Sequence, residues 1–221
     1  MANSRPPVSA EMDCNGEPWD LPLSVKRYVE AYMARFDASH DFQHILRVWF
    51  LSKYISANEY EFIPTPQGYN ITALELAALL HDVGDKKYST PEEISKHPVS
   101  KVLLELGASP ELAFKVQTIV KHVSYSAETK DPLAVEEVLL QHPELAAVQD
   151  ADRLDAIGAV GIGRAFTFGG AMRPETNMAE TIQHFTEKLE RLEGMMKENK
   201  WQGSALGVSR FFARGGKRRP L

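Results

Sequence analysis

Residues Leu74 to Lys87, LELAALLHDVGDKK, place an imidazole and a carboxylate, His81 and Asp82, at the end of an apolar segment. Leu74, Ala77, Ala78 and Leu80 recur at helical spacing with little polarity between them, which predicts a buried helix. Thr72 and Glu75 form the S/T-x-x-E capping pair at its start. Gly84 marks its end, because glycine turns left-handed there without steric cost. An ionisable pair at the end of an apolar helix is costly unless something pairs with it, and a bound cation would do so. The plainer reading is a solvated pair, with the imidazole favoured by the helix dipole. Asp85, Lys86 and Lys87 follow in a turn where a substrate could meet them.

Two other stretches carry the same tension. In ASHDFQHILRVWFLSKYI, Asp41 suits a helix N-cap, and Asp41, His44 and Arg47 fall three apart on one stripe of an otherwise core-facing helix. A structural histidine with a snorkelling arginine is the plainer account. In VQDADRLDAI, three acids fall within six residues of an alanine-, leucine- and valine-rich helix. Asp152 and Asp155 share a face and Asp150 points elsewhere; an exposed acidic face partnered by Arg153 is the alternative. Residue types alone leave open whether Asp150 or Asp152 faces inward. His44, His81, Asp82 and Asp152 together offer two imidazoles and two carboxylates. That mixed set suits Mn, Fe, Co, Ni or Zn, is formally neutral with a dication, and leaves positions open for water and substrate oxygens.

The elements that must hold these residues are helical. Leu23 to Phe36 has the period of an amphipathic helix. Asn58 to Asn70 contains Pro64, Pro66 and Gly68 and reads as a loop or insertion. Ser89 to Glu93 starts a helix that His97-Pro98 should break; Val99 to Leu106 resumes it and Gly107 closes it. Ser109-Pro110 opens the next, through Val123. A polar loop is expected from Ser124 to Asp131, a short helix from Leu133 to Gln141, and one long helix from Glu144 to Phe166, loosened by Gly158, Gly161 and Gly163. FGGAMRPETN reads as a loop and Thr181 to Lys197 as a charged amphipathic helix. Neither strand-like alternation nor an internal repeat is visible, so the fold class is all-α.

A chain of 221 residues suits one sizeable core. Three segments are expected: an N-terminal arm over 1–21, a helical domain over 22–200 and a basic tail over 201–221. The net charge of −5 implies no large basic surface, which argues against duplex nucleic acid as a partner. A single cysteine, Cys14, excludes an internal disulfide and a cysteine zinc site. No secretory leader and no apolar run of membrane-spanning length is read, so the expectation is a cytoplasmic protein without a membrane partner, the basic tail leaving a nuclear address open.

The order D-x-x-H-x-x-R-V (Asp41, His44, Arg47, Val48), LLHDVGDKK, then DADRLDAIGAVGIGRAF resembles the HD-domain metal-dependent phosphohydrolases, and within them a small group of bacterial and fungal nucleotide hydrolases. The resemblance runs from about Leu23 to Lys197. It implies an HD-domain helical bundle with His44, His81, Asp82 and Asp152 as metal ligands, which settles the register in favour of Asp152. It also implies a homodimer, a nucleotide substrate, and hydrolysis of phosphate esters or anhydrides, including release of pyrophosphate from nucleoside triphosphates. Manganese heads the expected metals, with Fe, Co, Ni, Zn or Mg as alternatives.

Roles follow from chemistry and resemblance together. Lys86 would neutralise phosphate charge, and Asp85 would orient or deprotonate the attacking water. His122 would bind phosphate or protonate a leaving group. Arg47 and Arg164 are phosphate-facing candidates, each also able to pair with an acid, and Asp155 is expected to support a ligand. Phe50, Tyr54, Tyr125 and Phe166 are candidates for a base pocket, with a place in the core as the plainer reading of each. The segment Tyr60 to Tyr69 reads as an insertion relative to the group, and Asp131 to Pro143 as a longer loop. Two alternatives stand beside this reading: a dinuclear HD phosphodiesterase or iron-dependent oxygenase using His97 and His122, and a non-catalytic nucleotide-binding HD module.

Overall fold

The structure is a computed structural model that describes residues 20–36, 40–59, 70–84, 99–173, 175 and 177–197. Among these residues it contains ten α-helices, two 3-10 turns and no strand. The helices are α1 (Leu21–Met33), α2 (Phe42–Glu59), α3 (Ile71–Leu80), α4 (Val99–Glu105), α5 (Pro110–Val123), α6 (Tyr125–Lys130), α7 (Pro132–Gln141), α8 (Glu144–Asp155), α9 (Gly158–Met172) and α10 (Met178–Glu187). The 3-10 turns are Leu189–Arg191 and Glu193–Met195. The all-α class read from the sequence is the one observed. Asp85, Lys86 and His97, the 60–69 insertion, residues 1–19 of the expected arm and the basic tail lie outside the described residues; Leu21, expected as the arm's last residue, opens α1 and is fully buried.

Helix α3 is apolar apart from Thr72 and Glu75, and a helix apolar over most of its circumference must be largely enclosed. It is packed by α1, α2, α5 and α8, and Ala73, Leu74 and Leu76 to Leu80 are fully buried. Its cap lies two residues before the expected Thr72. Asn70 is extended, and its side chain accepts from the Ala73 N–H at 2.9 Å. The Asn70 N–H donates to Oε1 of buried Glu144 at 2.8 Å, and Lys115 Nζ donates to the same oxygen at 2.7 Å. Glu144 is the first residue of α8, so α3 and α8 start side by side and run in the same direction. Whatever ends one helix therefore meets whatever ends the other.

Helix α8 is polar in composition yet buried, the opposite of an exposed acidic face. Asp150 and Arg153, three apart, look away from α3 toward the C-terminal segment. Asp150 is fully buried and accepts the Lys197 N–H at 2.9 and 3.1 Å. Arg153 donates to Glu128 and to the Met195 carbonyl, and Lys197 Nζ adds a 2.5 Å contact to Glu128. This network explains a correction. The expected polar loop 124–131 is helix α6, capped at 3.2 Å by Ser124 onto the Ala127 N–H. A six-residue helix is marginal alone; Glu128 fastens this one to Arg153 and Lys197.

Three further expectations are corrected. The single helix Glu144 to Phe166 is two, separated where Gly158 takes φ +69°. The loop FGGAMRPETN is helical as far as Met172. The helix Thr181 to Lys197 starts earlier, at Met178, because Asn177 accepts from the N–H groups of Ala179 and Glu180 at 2.9 and 3.2 Å. It ends at Glu187 and continues as the two 3-10 turns. Their threefold repeat stacks Leu189 over Leu192, which join Phe185, Met196 and Ile157 in a second, smaller core.

The break after α8 depends on Gly161, whose Cβ, if present, would stand 2.2 Å from the Ala156 carbonyl oxygen. Gly161→Ala is expected to cost ~1–3 kcal/mol through this clash, whereas Gly163→Ala, which meets open space, stabilises slightly by helix propensity; urea unfolding of both variants checks the contrast. Burial alone would raise the Glu128 carboxyl, but Lys197 and Arg153 hold it below the usual glutamate range. Its contribution is therefore full above that range and is lost as the pH falls through the lowered value. Glu128→Gln removes this component of acid lability, readable as a flatter Tm profile below about pH 5.

Candidate metal centre

The end of α3, the first turn of α2 and the end of α8 bring four side chains together. Asp41 caps α2 as expected, accepting from the His44 N–H at 3.0 Å and fixing His44 in the first turn. His81 directly follows α3, and Gly84, with φ +77°, turns the chain away after Asp82. His44 Nε2 stands 3.2 Å from His81 Nε2 and 3.4 Å from Asp152 Oδ1; His81 Nε2 to Asp152 Oδ1 is 3.8 Å. These three donors are close on every edge. Asp82 Oδ2 meets both imidazoles, at 3.3 Å from His44 Nε2 and 3.5 Å from His81 Nε2. The imidazoles are buried, whereas the Asp82 and Asp152 side chains are 16% and 29% exposed, so solvent reaches the group from the carboxylate side.

The outer nitrogens fix what the inner ones present. His81 Nδ1 lies 2.8 Å from the Ala78 carbonyl, which only accepts, so Nδ1 carries the proton and Nε2 keeps its lone pair. His44 Nδ1 donates in the same way to Asp155 Oδ2 at 2.7 Å. Both Nε2 atoms therefore face each other and two carboxylates, a concentration of acceptors that only a cation resolves. Burial by itself would lower the His44 pKa, but hydrogen bonds to Asp152, Asp155 and Asp82 outweigh it and raise the value to about 10. Asp82 and Asp152 are correspondingly held below the usual carboxylate range despite burial, Asp82 by His81 and His44, Asp152 chiefly by His44. Donors about 2.1 Å from one ion stand about 3.0 Å apart at right angles and about 3.4 Å apart at the tetrahedral angle. The observed separations and the nitrogen–oxygen donor set fit a divalent ion.

Asp155 organises the surrounding layer. Besides His44 it accepts Arg47 Nε at 2.6 Å and Nη2 at 3.2 Å, and Arg164 Nη1 at 3.0 Å. The break between α8 and α9 makes the last contact possible. In one straight helix, residues nine apart would lie on opposite faces, about 13 Å along the axis. Arg47 and Arg164 thus each pair with an acid while their side chains stay 37% and 23% exposed.

Of the other residues read from the sequence, Asp150 sits on the reverse face of α8, bound to the C-terminal segment. His122 lies on α5, half-buried, with Nδ1 on the Thr118 carbonyl at 2.8 Å and its own carbonyl on Gln149 at 2.8 Å; it is not among the four clustered donors. His40 was not anticipated. It is buried, and its Nδ1 stands 3.4 Å from Asp82 Oδ2. Its signal in the sequence was a second histidine one helical turn ahead of His44, just before the helix starts.

Two outcomes are expected. Asp155→Asn leaves all four clustered donors in place and weakens Mn(II) binding ~10–100-fold, whereas Asp150→Asn leaves metal affinity unchanged and lowers Tm; metal titration beside thermal denaturation separates them. Metal uptake near pH 7 displaces about one proton from His44, so affinity falls as pH falls, checked by calorimetry in buffers of different ionisation enthalpy.

The family model of the HD domain matches residues 41–157, the span from the α2 cap to the break after α8. The Bacillus subtilis protein YpgQ is 35% identical over 177 residues, 78% of each chain. A crystal structure of YpgQ in complex with ADP superposes with a TM-score of 0.63 at 31% identity, covering 88% of this chain and 90% of that one. An HD-superfamily hydrolase from Bacillus thuringiensis gives a TM-score of 0.59 at 30% identity, over 87% and 91% of the two chains. The chain belongs to the HD domain family and has the fold of the HD-superfamily hydrolases.

Proposed function

We propose that the protein is a divalent-metal-dependent nucleotide phosphohydrolase of the nucleoside triphosphate pyrophosphohydrolase type. The observation that carries this reading is the convergence of His44, His81, Asp82 and Asp152 on one point, with the carboxylates on the solvent side. The ADP complex of YpgQ supports a nucleotide as the ligand class. The catalytic unit is taken as 22–200, with the arm and the basic tail outside it. In the reading, His44, His81, Asp82 and Asp152 hold one ion, manganese first among the candidates.

The ion, when bound, would supply a Lewis acid for a phosphoryl oxygen and an acidified water. The chain's own residues do the rest. Asp155 holds His44 by its Nδ1–H and restrains Arg47 and Arg164, whose exposed edges meet phosphate oxygens. Lys86 neutralises phosphate charge and Asp85 takes the proton of the attacking water. His122, fixed through Nδ1 to Thr118, presents its other nitrogen to a phosphate or a leaving oxygen.

Product analysis tests the reading. Protein stripped of metal and reloaded with Mn(II) is offered nucleoside mono-, di- and triphosphates, with Asp82→Ala as control. The expected outcome is pyrophosphate from triphosphates, reduced ~100-fold or more in the variant. Turnover retained by Asp82→Ala, or no turnover of any nucleotide by the metal-loaded protein, contradicts it.

A further inference from the structure

Each of the other clustered donors is restrained in a way already described. His44 is fastened by the Asp155 carboxylate and His81 by the Ala78 carbonyl, and Asp152 is carried within α8. Asp82 instead stands in the turn after α3, where the Val83 N–H reaches the Leu80 carbonyl at 2.9 Å and Gly84 turns the chain away. What holds its carboxylate lies elsewhere.

Three imidazole nitrogens surround Asp82 Oδ2: His44 Nε2 at 3.3 Å, His40 Nδ1 at 3.4 Å and His81 Nε2 at 3.5 Å. The nitrogens of His44 and His81 present lone pairs, because both rings carry their proton on Nδ1. They can bind an ion but cannot donate to a carboxylate. His40 is the ring of the three that can offer Asp82 an N–H. A carboxylate oxygen has two lone pairs, so Oδ2 can accept that hydrogen and still face the ion.

The placement of His40 is itself built. It is 4% exposed, and Phe36 meets its ring edge-on at 5.4 Å. It immediately precedes Asp41, whose cap on the His44 N–H sets the start of α2. Phe36 in turn lies 5.4 Å from Tyr32, whose hydroxyl accepts the Gly84 N–H at 3.1 Å. The end of α1 and the residues after it thus reach Asp82 twice, at the backbone through Gly84 and at the carboxylate through His40. His40 lies outside the set of mutually close donors.

We propose that His40 is a positioning residue of the metal centre, its Nδ1–H holding the Asp82 carboxylate in the orientation that binds the ion without itself binding the ion. This rests on the metal reading above. Outer partners of this kind hold ligating carboxylates in place, and losing one weakens metal binding roughly 10–100-fold.

Mn(II) titration of the full chain by electron paramagnetic resonance, paired with the Tm of the metal-free protein, tests the assignment. His40→Asn keeps an N–H donor at the place of Nδ1 in a smaller side chain; His40→Leu keeps the bulk and removes the donor. His40→Asn is expected to bind within about threefold of the unaltered protein and His40→Leu ~10–100-fold more weakly, with a metal-free Tm no lower than that of His40→Asn. A residue that merely fills space gives the reverse order, because the smaller asparagine leaves a cavity. Binding by His40→Asn as weak as that of His40→Leu therefore overturns the proposal, as does undiminished binding by His40→Leu. Weak binding by His40→Leu together with the lower metal-free Tm assigns the loss to folding and overturns it as well. Pulsed spectra of the unaltered protein are expected to show imidazole couplings from His44 and His81 alone; a further one, lost in both variants, makes His40 a ligand and contradicts the positioning role. If the unaltered protein binds no Mn(II), the metal reading beneath fails; if it binds Mn(II) and the variants depart from these expectations, the positioning role alone fails.

Discussion

Two imidazoles and two carboxylates facing one another form an arrangement that needs a positive charge among them, either an added proton on His44 or a metal ion. The Ala78 carbonyl and the Asp155 carboxylate each require a proton on the outer nitrogen of a histidine ring. The inner nitrogens are thereby left as acceptors among acceptors. A proton on His44, retained to about 10, is the least cation that relieves this; a divalent ion relieves it with charge to match both carboxylates. Much of the surrounding architecture keeps that unfavourable grouping from dispersing.

Enclosure of α3 is the first part of that work. Because Ala73, Leu74 and Leu76 to Leu80 are all buried, the helix cannot rotate to move His81 and Asp82 into solvent without exposing core side chains. Glu144 ties the starts of α3 and α8 together, which sets the relative height of their ends. On α8 the polar residues divide between two tasks. Asp152 and Asp155 serve the cluster, while Asp150 and Arg153, on the other side, clasp Met195 and Lys197. Rotating α8 would break both sets at once. The glycine break after Asp155 then returns α9 so that Arg164 reaches the same carboxylate as Arg47, and Asp155 becomes the joint of three elements.

The sequence made the helices and their inward-facing ionisable residues legible, because periodicity and capping act locally. Asp41 as a cap, Gly84 as a left-handed terminus and the apolar length of α3 all depend on neighbours within a turn. The polar face of Asp41, His44 and Arg47 was likewise visible. Asp155 was read as support rather than ligand, and it contacts His44 and two arginines. What depended on distant partners was not legible. Helix α6 looked like a loop because Glu128 is secured by Arg153 and Lys197, remote in the chain. The division between α8 and α9 needed the Gly161–Ala156 approach, which a run of three glycines only hinted at. His40 precedes its helix and so fell outside any periodic argument. Of the aromatic residues named as base-pocket candidates, Phe50 and Tyr54 are largely exposed on α2, and Phe166 packs on Phe185 at 6.0 Å.

The claim on which the account turns is that one ion sits among His44, His81, Asp82 and Asp152. Anomalous diffraction from crystals of the Mn(II)-loaded protein measures this directly. The account predicts a single peak per chain, within bonding distance of His44 Nε2, His81 Nε2, Asp82 and Asp152, with Asp155 behind His44 and outside the coordination sphere. Two peaks a few ångströms apart, with His122 or His97 as an added ligand, would contradict it in favour of a dinuclear site. The absence of any peak among these four residues would contradict it outright.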